Sequence, residues 1–232
     1  MHELAIRTAG HYGVDGLRLF RPKEPYKVED NGSVMKALDP ESGGKIGIVD
    51  VLGGGGVILD SPGPQVEEER DIETIDVPDK DELRESNWFG ILKKSVRRAH
   101  DEDLFVASSP PGFTMNYVSE KRGRDRALID VIDDPPLVHS IMDKGLEISL
   151  AYAEVLLETG IDCFYIGDPS SSASLISPAH FREFCLPRFK TFCDELHKKD
   201  VLIYIHICGK SGPLLEMLAD TADTVLKGAV RG

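Results

Sequence analysis

Positive charge is scarce in this sequence. Its 232 residues carry 27 Lys and Arg against 40 Asp and Glu, a formal net charge of −13. Neutralising phosphates takes clustered basic side chains, so no nucleic-acid partner is expected, and an anionic membrane surface is disfavoured on the same ground. Cysteine is sparse too: Cys163, Cys185, Cys193 and Cys208 do not make a disulfide framework. No secretory leader follows Met1, so reduced thiols and a cytoplasmic location are expected. No apolar run approaches the roughly 20 residues that a membrane-spanning helix needs. The tetraglycine Gly53–Gly56 is followed by no Lys-Ser/Thr, which argues against a phosphate-gripping loop and for a simple strand connection. We read no internal repeat and no low-complexity linker.

What is present changes character near residue 100. Residues 1–100 are loop-rich and irregular, with β-like pieces at 46–51 and 57–59 and an acidic stretch, 67–85. Trp88, Ile91, Leu92 and Val96 then fall at helical spacing, and the cations that follow complement the helix dipole. Over residues 101–232 strands alternate with helices. The pattern predicts strands at 104–108, 162–167, 201–207 and from 223, with helices at 136–159, 178–199 and 213–219. Ser177-Pro178 supplies an N-cap followed by a first-turn proline, Pro187 is expected to bend the helix it opens, and Gly160 stands where a left-handed residue stops the preceding one. Such β-α-β units imply a parallel sheet with helices outside it. A closed (β/α)8 TIM barrel usually takes about 250 residues. The chain is therefore read as one α/β domain over 1–232, a (β/α)8 barrel whose carboxyl-terminal strands are missing.

Functional groups of such folds gather at the carboxyl ends of the strands. The apolar run Val201–Ile205 leads into His206-Ile207-Cys208-Gly209. Alternate side chains of a strand share a face, so His206 and Cys208 point the same way. An imidazole beside a thiolate suits zinc. Asp168 ends the neighbouring predicted strand. Tyr117, after the strand at 104–108, and Asp50, after Lys45–Val49, are further candidates for the rim, with a packed ring and a turn as their alternatives. Cys185 and Cys193 are expected to pack in an outer helix. Arg122, Arg124 and Arg126, interleaved with acids, are read as a solvated loop.

The order and spacing of several pieces add a resemblance. Gly160-Ile161-Asp162 through Gly167-Asp168-Pro169, then Leu175–Phe181, Phe184 and Pro187, with Arg122-Gly123 and Asp134-Pro135 ahead of them, resemble the uroporphyrinogen decarboxylase superfamily. His206-Ile207-Cys208 resembles the His-x-Cys zinc motif of its methyltransferase branch. That likeness implies a zinc enzyme moving a methyl group from methylcobamide on a corrinoid protein to a small thiol of the coenzyme M type. It also implies a third zinc ligand, a later cysteine that this chain lacks, and a role for Asp168 in orienting a ligand or substrate. The alternative within the superfamily is uroporphyrinogen decarboxylation in porphyrin biosynthesis, in which Asp50 would hold the pyrrole nitrogens and Tyr117 the acidic side chains. A third reading is an inactive fragment or binding domain.

Overall fold

The computed structural model describes residues 2–21, 27–30, 34–38, 45–50, 57–60, 65–219 and 221–227. Two sheets run through them. Strands β1 (Gly16–Arg18), β6 (Phe105–Ser108), β7 (Cys163–Gly167), β8 (Leu202–Ile207) and β9 (Thr224–Lys227) form a parallel sheet in that order. Strands β2 (Lys27–Asp30), β3 (Val34–Leu38), β4 (Lys45–Asp50) and β5 (Val57–Asp60) form an antiparallel meander. Neighbours in the parallel sheet are neighbours in the strand–helix sequence, the order in which a β/α barrel is wound.

Helices precede the parallel strands. α1 (His2–Tyr12) leads into β1 and, after α2 (Glu69–Ile72) and α3 (Lys80–Glu85), α4 (Asn87–His100) leads into β6. α5 (Met115–Arg122), α6 (Arg124–Asp133) and α7 (Pro135–Leu157) lie between β6 and β7. α8 (Pro178–His180), a π turn at Phe181–Cys185 and α9 (Leu186–His197) lie between β7 and β8, and α10 (Leu215–Leu218) precedes β9. The long α7 starts where the Asp134 carboxylate accepts the Leu137 N–H at 3.3 Å and Pro135 occupies a first-turn position. It buries Val138, Ile141, Met142, Val155 and Leu156, each contributing about 1.5–3 kcal/mol. Gly160, at φ +88°, turns the chain out of it.

Three expectations are corrected. The strand–helix alternation begins at β1 rather than near residue 100, because Gly16–Arg18 pairs in parallel with Phe105–Ala107. A three-residue strand is too short to show a period. Arg122 is not in a solvated loop. It is 9% exposed at the end of α5, its Nε bonds the fully buried Asp130 at 2.6 Å, and its Nη1 donates to the carbonyls of Val66 and Glu67. The helix after Ser177 does have its N-cap, the Ser177 hydroxyl accepting the His180 N–H at 3.1 Å. Its irregularity, however, comes as the π turn just before Pro187. Pro187 has no N–H for the carbonyl four residues back, and the Leu186 N–H reaches five residues back to Phe181 instead.

One repeat escaped the sequence reading. His100 ends α4, Asp103 follows at φ +56°, and the Val106 N–H donates to Asp162, which also bonds His100 Nε2. His197 ends α9, Asp200 follows at φ +57°, and the Ile203 N–H donates to Asp223, which also bonds His197 Nε2. Both copies space the three positions as His, +3 and +6. Both stand where a helix enters its strand, at the end of the sheet opposite His206.

Alternation along the strands separates two faces. Phe164 and Ile166 of β7 and Ile203, Ile205 and Ile207 of β8 join the core beneath the helices. Tyr165, Gly167, Tyr204 and His206 take the other face, in register as Tyr165 opposite Tyr204 and Gly167 opposite His206. Phe105 and Leu202 on that face are 44% and 48% exposed.

Candidate functional site

His206 and Cys208 meet where β8 ends. The strand delivers both to one face, and His206 Nε2 stands 3.2 Å from Cys208 Sγ. Bonds of about 2.0–2.1 Å to nitrogen and 2.3 Å to sulfur, meeting at a tetrahedral angle, separate the two donor atoms by roughly 3.6 Å. The pair thus matches one edge of a zinc tetrahedron after an opening of a few tenths of an ångström. Cys208 is the one exposed cysteine of the four, all of them free. Among the described residues no group of three or more His, Cys, Asp or Glu is placed to hold a metal ion, so the pair supplies two ligands and no third.

The turn beyond Cys208 is pinned from the neighbouring strand. Gly209 has φ +73°, and a Cβ there would meet the hydroxyls of Ser174 and Ser172 at 2.7 and 2.8 Å, so only glycine fits. The Lys210 N–H donates to Ser174 Oγ at 3.0 Å, and the Ala173 N–H to the Lys210 carbonyl at 3.1 Å. The segment after β7 thereby fixes the backbone that carries Cys208.

Asp168 is adjacent, but its carboxylate is occupied elsewhere. Its N–H donates to the His206 carbonyl at 3.0 Å, while its side chain, 2% exposed, accepts from Thr114 Oγ1 and, at 2.6 Å, from Ser171 Oγ. Burial pushes this carboxyl above the usual aspartate range, and the hydroxyl donors oppose the shift. Asp168 caps the turn Pro169–Ser171 and so shapes the segment that grips Gly209. Tyr117 packs rather than lines the rim. A Cβ on Gly145 of α7 would stand 2.5 Å from its ring, its hydroxyl is buried without a partner among the described residues, and burial raises it to about 12. Asp50 ends β4, which pairs with β3 and β5 in the antiparallel sheet and not with any strand of the parallel one.

The sequence reading passed over a second group on the face of His206. The Arg18 guanidinium lies 4.2 Å from the Tyr165 ring centre, Tyr165 lies 4.9 Å from Tyr204, and Tyr165 lies 6.2 Å from His206. Burial raises the Tyr204 phenol, and the charge of Arg18 pulls it back. The signal was available in β7 and β8, where Tyr165 and Tyr204 share the period-two face of His206.

Comparison with known proteins fixes the family. The profile described as uroporphyrinogen decarboxylase (URO-D) matches residues 47–227. The chain belongs to the URO-D family. The URO-D segment contains His206, Cys208, Asp168, Tyr117 and Asp50, so the resemblance carried by Gly160–Pro169 and its neighbours is borne out. Among curated relatives, methylcobamide:CoM methyltransferase MtaA of Methanosarcina barkeri is 37% identical over 84 residues, 36% of this chain and 24% of that protein. A methylated-thiol–coenzyme M methyltransferase of Methanosarcina mazei is 35% identical over 82 residues, 35% of this chain and 22% of that protein. These matches span about a quarter of the relatives' length. A solved methyltransferase from Methanosarcina mazei shares the fold, with TM-score 0.64 at 21% identity over 95% of this chain and 60% of that one.

Proposed function

We propose that this URO-D-family chain is a methyltransferase that moves a methyl group from methylcobamide, carried on a separate corrinoid protein, to a small thiol, with His206 and Cys208 holding a zinc ion. The observation that carries this reading is the 3.2 Å approach of His206 Nε2 to Cys208 Sγ at the carboxyl end of β8. The methyltransferase names of the curated relatives support it.

Zinc bound there would keep a coordinated thiol ionised at neutral pH. The chain's own contribution is to present the donors. His206 must offer the Nε2 lone pair, so its proton sits on Nδ1. Cys208 would bind the metal as its thiolate, and its exposed sulfur is open to an incoming ion. Asp168, capping the Pro169–Ser171 turn, positions the segment that fixes the Cys208 turn. In the transfer the thiol sulfur gains the methyl group, its proton leaves to solvent, and the electron pair of the cobalt–carbon bond stays with the corrinoid. The setting is the cytoplasm, where thiols remain reduced.

No described contact favours porphyrinogen decarboxylation, because Tyr117 is buried against Gly145 and Asp50 lies on a different sheet. The test is demethylation of methylcobalamin by zinc-loaded protein with 2-mercaptoethanesulfonate, followed by visible absorbance. Cys208→Ser is expected to lower the rate by about a hundredfold or more, since removing a direct ligand disturbs the site at least as much as the roughly 10–100-fold of an outer-shell change. An unchanged rate overturns the zinc assignment, and no transfer by the parent chain leaves the binding-domain reading in its place.

A further inference from the structure

The turn that carries Cys208 directs its backbone donors away from the sulfur. In tight turns a serine or threonine hydroxyl accepts the N–H two residues further on, and a cysteine Sγ occupies the place of a serine Oγ. For Cys208 that donor is the Lys210 N–H. It goes instead to Ser174 Oγ at 3.0 Å, and the following N–H, of Ser211, goes to the Gly209 carbonyl at 2.9 Å. Among the described residues the one hydrogen-bond partner of Cys208 Sγ is His206 Nε2. That nitrogen is the one His206 would turn to a metal, which leaves the sulfur with no donor at all.

The diversion is built from a serine-rich segment, Ser170-Ser171-Ser172-Ala173-Ser174. The Ser171 hydroxyl donates to Asp168 at 2.6 Å, and Ser172 Oγ accepts the Ser174 N–H at 3.2 Å. The Ala173 N–H donates to the Lys210 carbonyl at 3.1 Å. Both backbone groups of Lys210 are therefore engaged by neighbouring residues of one segment, which fixes the direction of its N–H. The absence of a side chain at Gly209 lets the hydroxyls of Ser172 and Ser174 come this close.

We infer that Ser174 is a positioning residue that tunes the Cys208 sulfur as a metal ligand, by holding the Lys210 N–H away from it. Hydrogen bonds to a ligating sulfur are one of a protein's levers on a metal centre, because they draw charge off the thiolate. A sulfur without them donates more strongly. A second thiol bound at the same centre then keeps more of its own charge and is the better nucleophile. The inference rests on the zinc reading of His206 and Cys208, and its test reads the metal–sulfur bond without turnover.

Cobalt(II) is the probe, since its sulfur-to-metal charge-transfer absorption in the near ultraviolet follows the charge on the sulfur. The parent chain, Ser174→Ala and Ser174→Thr are compared at saturating cobalt. Ser174 is exposed, so neither variant opens a cavity, and far-ultraviolet circular dichroism should match the parent. Ser174→Ala frees the Lys210 N–H for Cys208. It is expected to move the band to shorter wavelength and to weaken cobalt binding about tenfold, the low end for an outer-shell partner. Ser174→Thr keeps the hydroxyl and should restore both the band position and the affinity. A serine that merely stiffened the turn would change the affinity and leave the band where it was. An unmoved band in Ser174→Ala therefore overturns the inference and leaves the zinc reading standing. A parent chain without the band, or a band that survives Cys208→Ser, removes the zinc reading and the inference together.

Discussion

At the scale of single residues, His139 shows how a neighbour fixes a protonation state. Arg188 Nη1 stands 2.9 Å from His139 Nδ1, and an arginine can only donate, so that nitrogen must be the acceptor. The imidazole also stacks on Phe184, with ring centres 4.5 Å apart. Burial lowers its pKa below 6.5, and the Arg188 charge lowers it further, against weaker pulls from Asp143 and Glu183. The folded state thus binds a proton less readily than the unfolded chain, and stability is lost as pH falls below about 6.5. Thermal midpoints between pH 7.5 and 5 should fall more steeply for the parent chain than for His139→Asn, whose amide oxygen can accept from Arg188 without titrating. Parallel slopes would show that the imidazole is not the group responsible.

At the scale of elements, the two His–Asp latches join helix ends to strand beginnings. Asp162→Ala removes the acceptor of the Val106 N–H together with the partner of His100, and Asp223→Ala does the same to Ile203 and His197. Each should cost about 1–3 kcal/mol in urea unfolding, and the double variant about their sum, since the two sites share no hydrogen-bond partner. A cost near zero for either would mean that water replaces the carboxylate. What could be read from the sequence follows from the length of the patterns. α4, α7, β7 and β8 were legible because each runs long enough to show its period. His206 and Cys208 were legible because a two-residue offset keeps them on one strand face. β1 was not, with three residues. β2 and β3 were missed because Lys27–Asp30 and Val34–Leu38 mix charge and apolar residues, although the Asn31-Gly32 pair between them is a hairpin-turn signal in the sequence. The contact of Arg18 with Tyr165 was beyond reach, since it depends on which strands adjoin and on the smallness of Ala107.

At the scale of the whole molecule, the parallel sheet divides the work between its faces. The helix-covered face holds the fold together, and the other is left for Tyr165, Tyr204 and His206. No helix among the described residues is long and apolar enough to cross a membrane. If the pair at the end of β8 holds zinc, the ion binds the folded chain in preference to the unfolded one, and occupancy stabilises the fold. Free zinc at a hundred times its Kd should raise the thermal midpoint by roughly 5 °C or more for a chain of this size. His206→Ala should abolish the rise, and an equal rise in that variant would place the ion elsewhere.

The crowding around Gly209 extends the reach of that occupancy. With the hydroxyls of Ser172 and Ser174 already filling the space that a side chain at 209 would take, the Cys208 turn has no slack on that side. The Lys210 N–H bond to Ser174 Oγ ties the backbone of that turn to the Ser172–Ser174 segment. That segment grows out of β7, which also bears Tyr165 and, through it, the seat of Arg18. The end of β8 and the strand that bears Tyr165 are thus tied through one stretch of backbone, from Cys208 by Gly209 and Lys210 to Ser174 and β7.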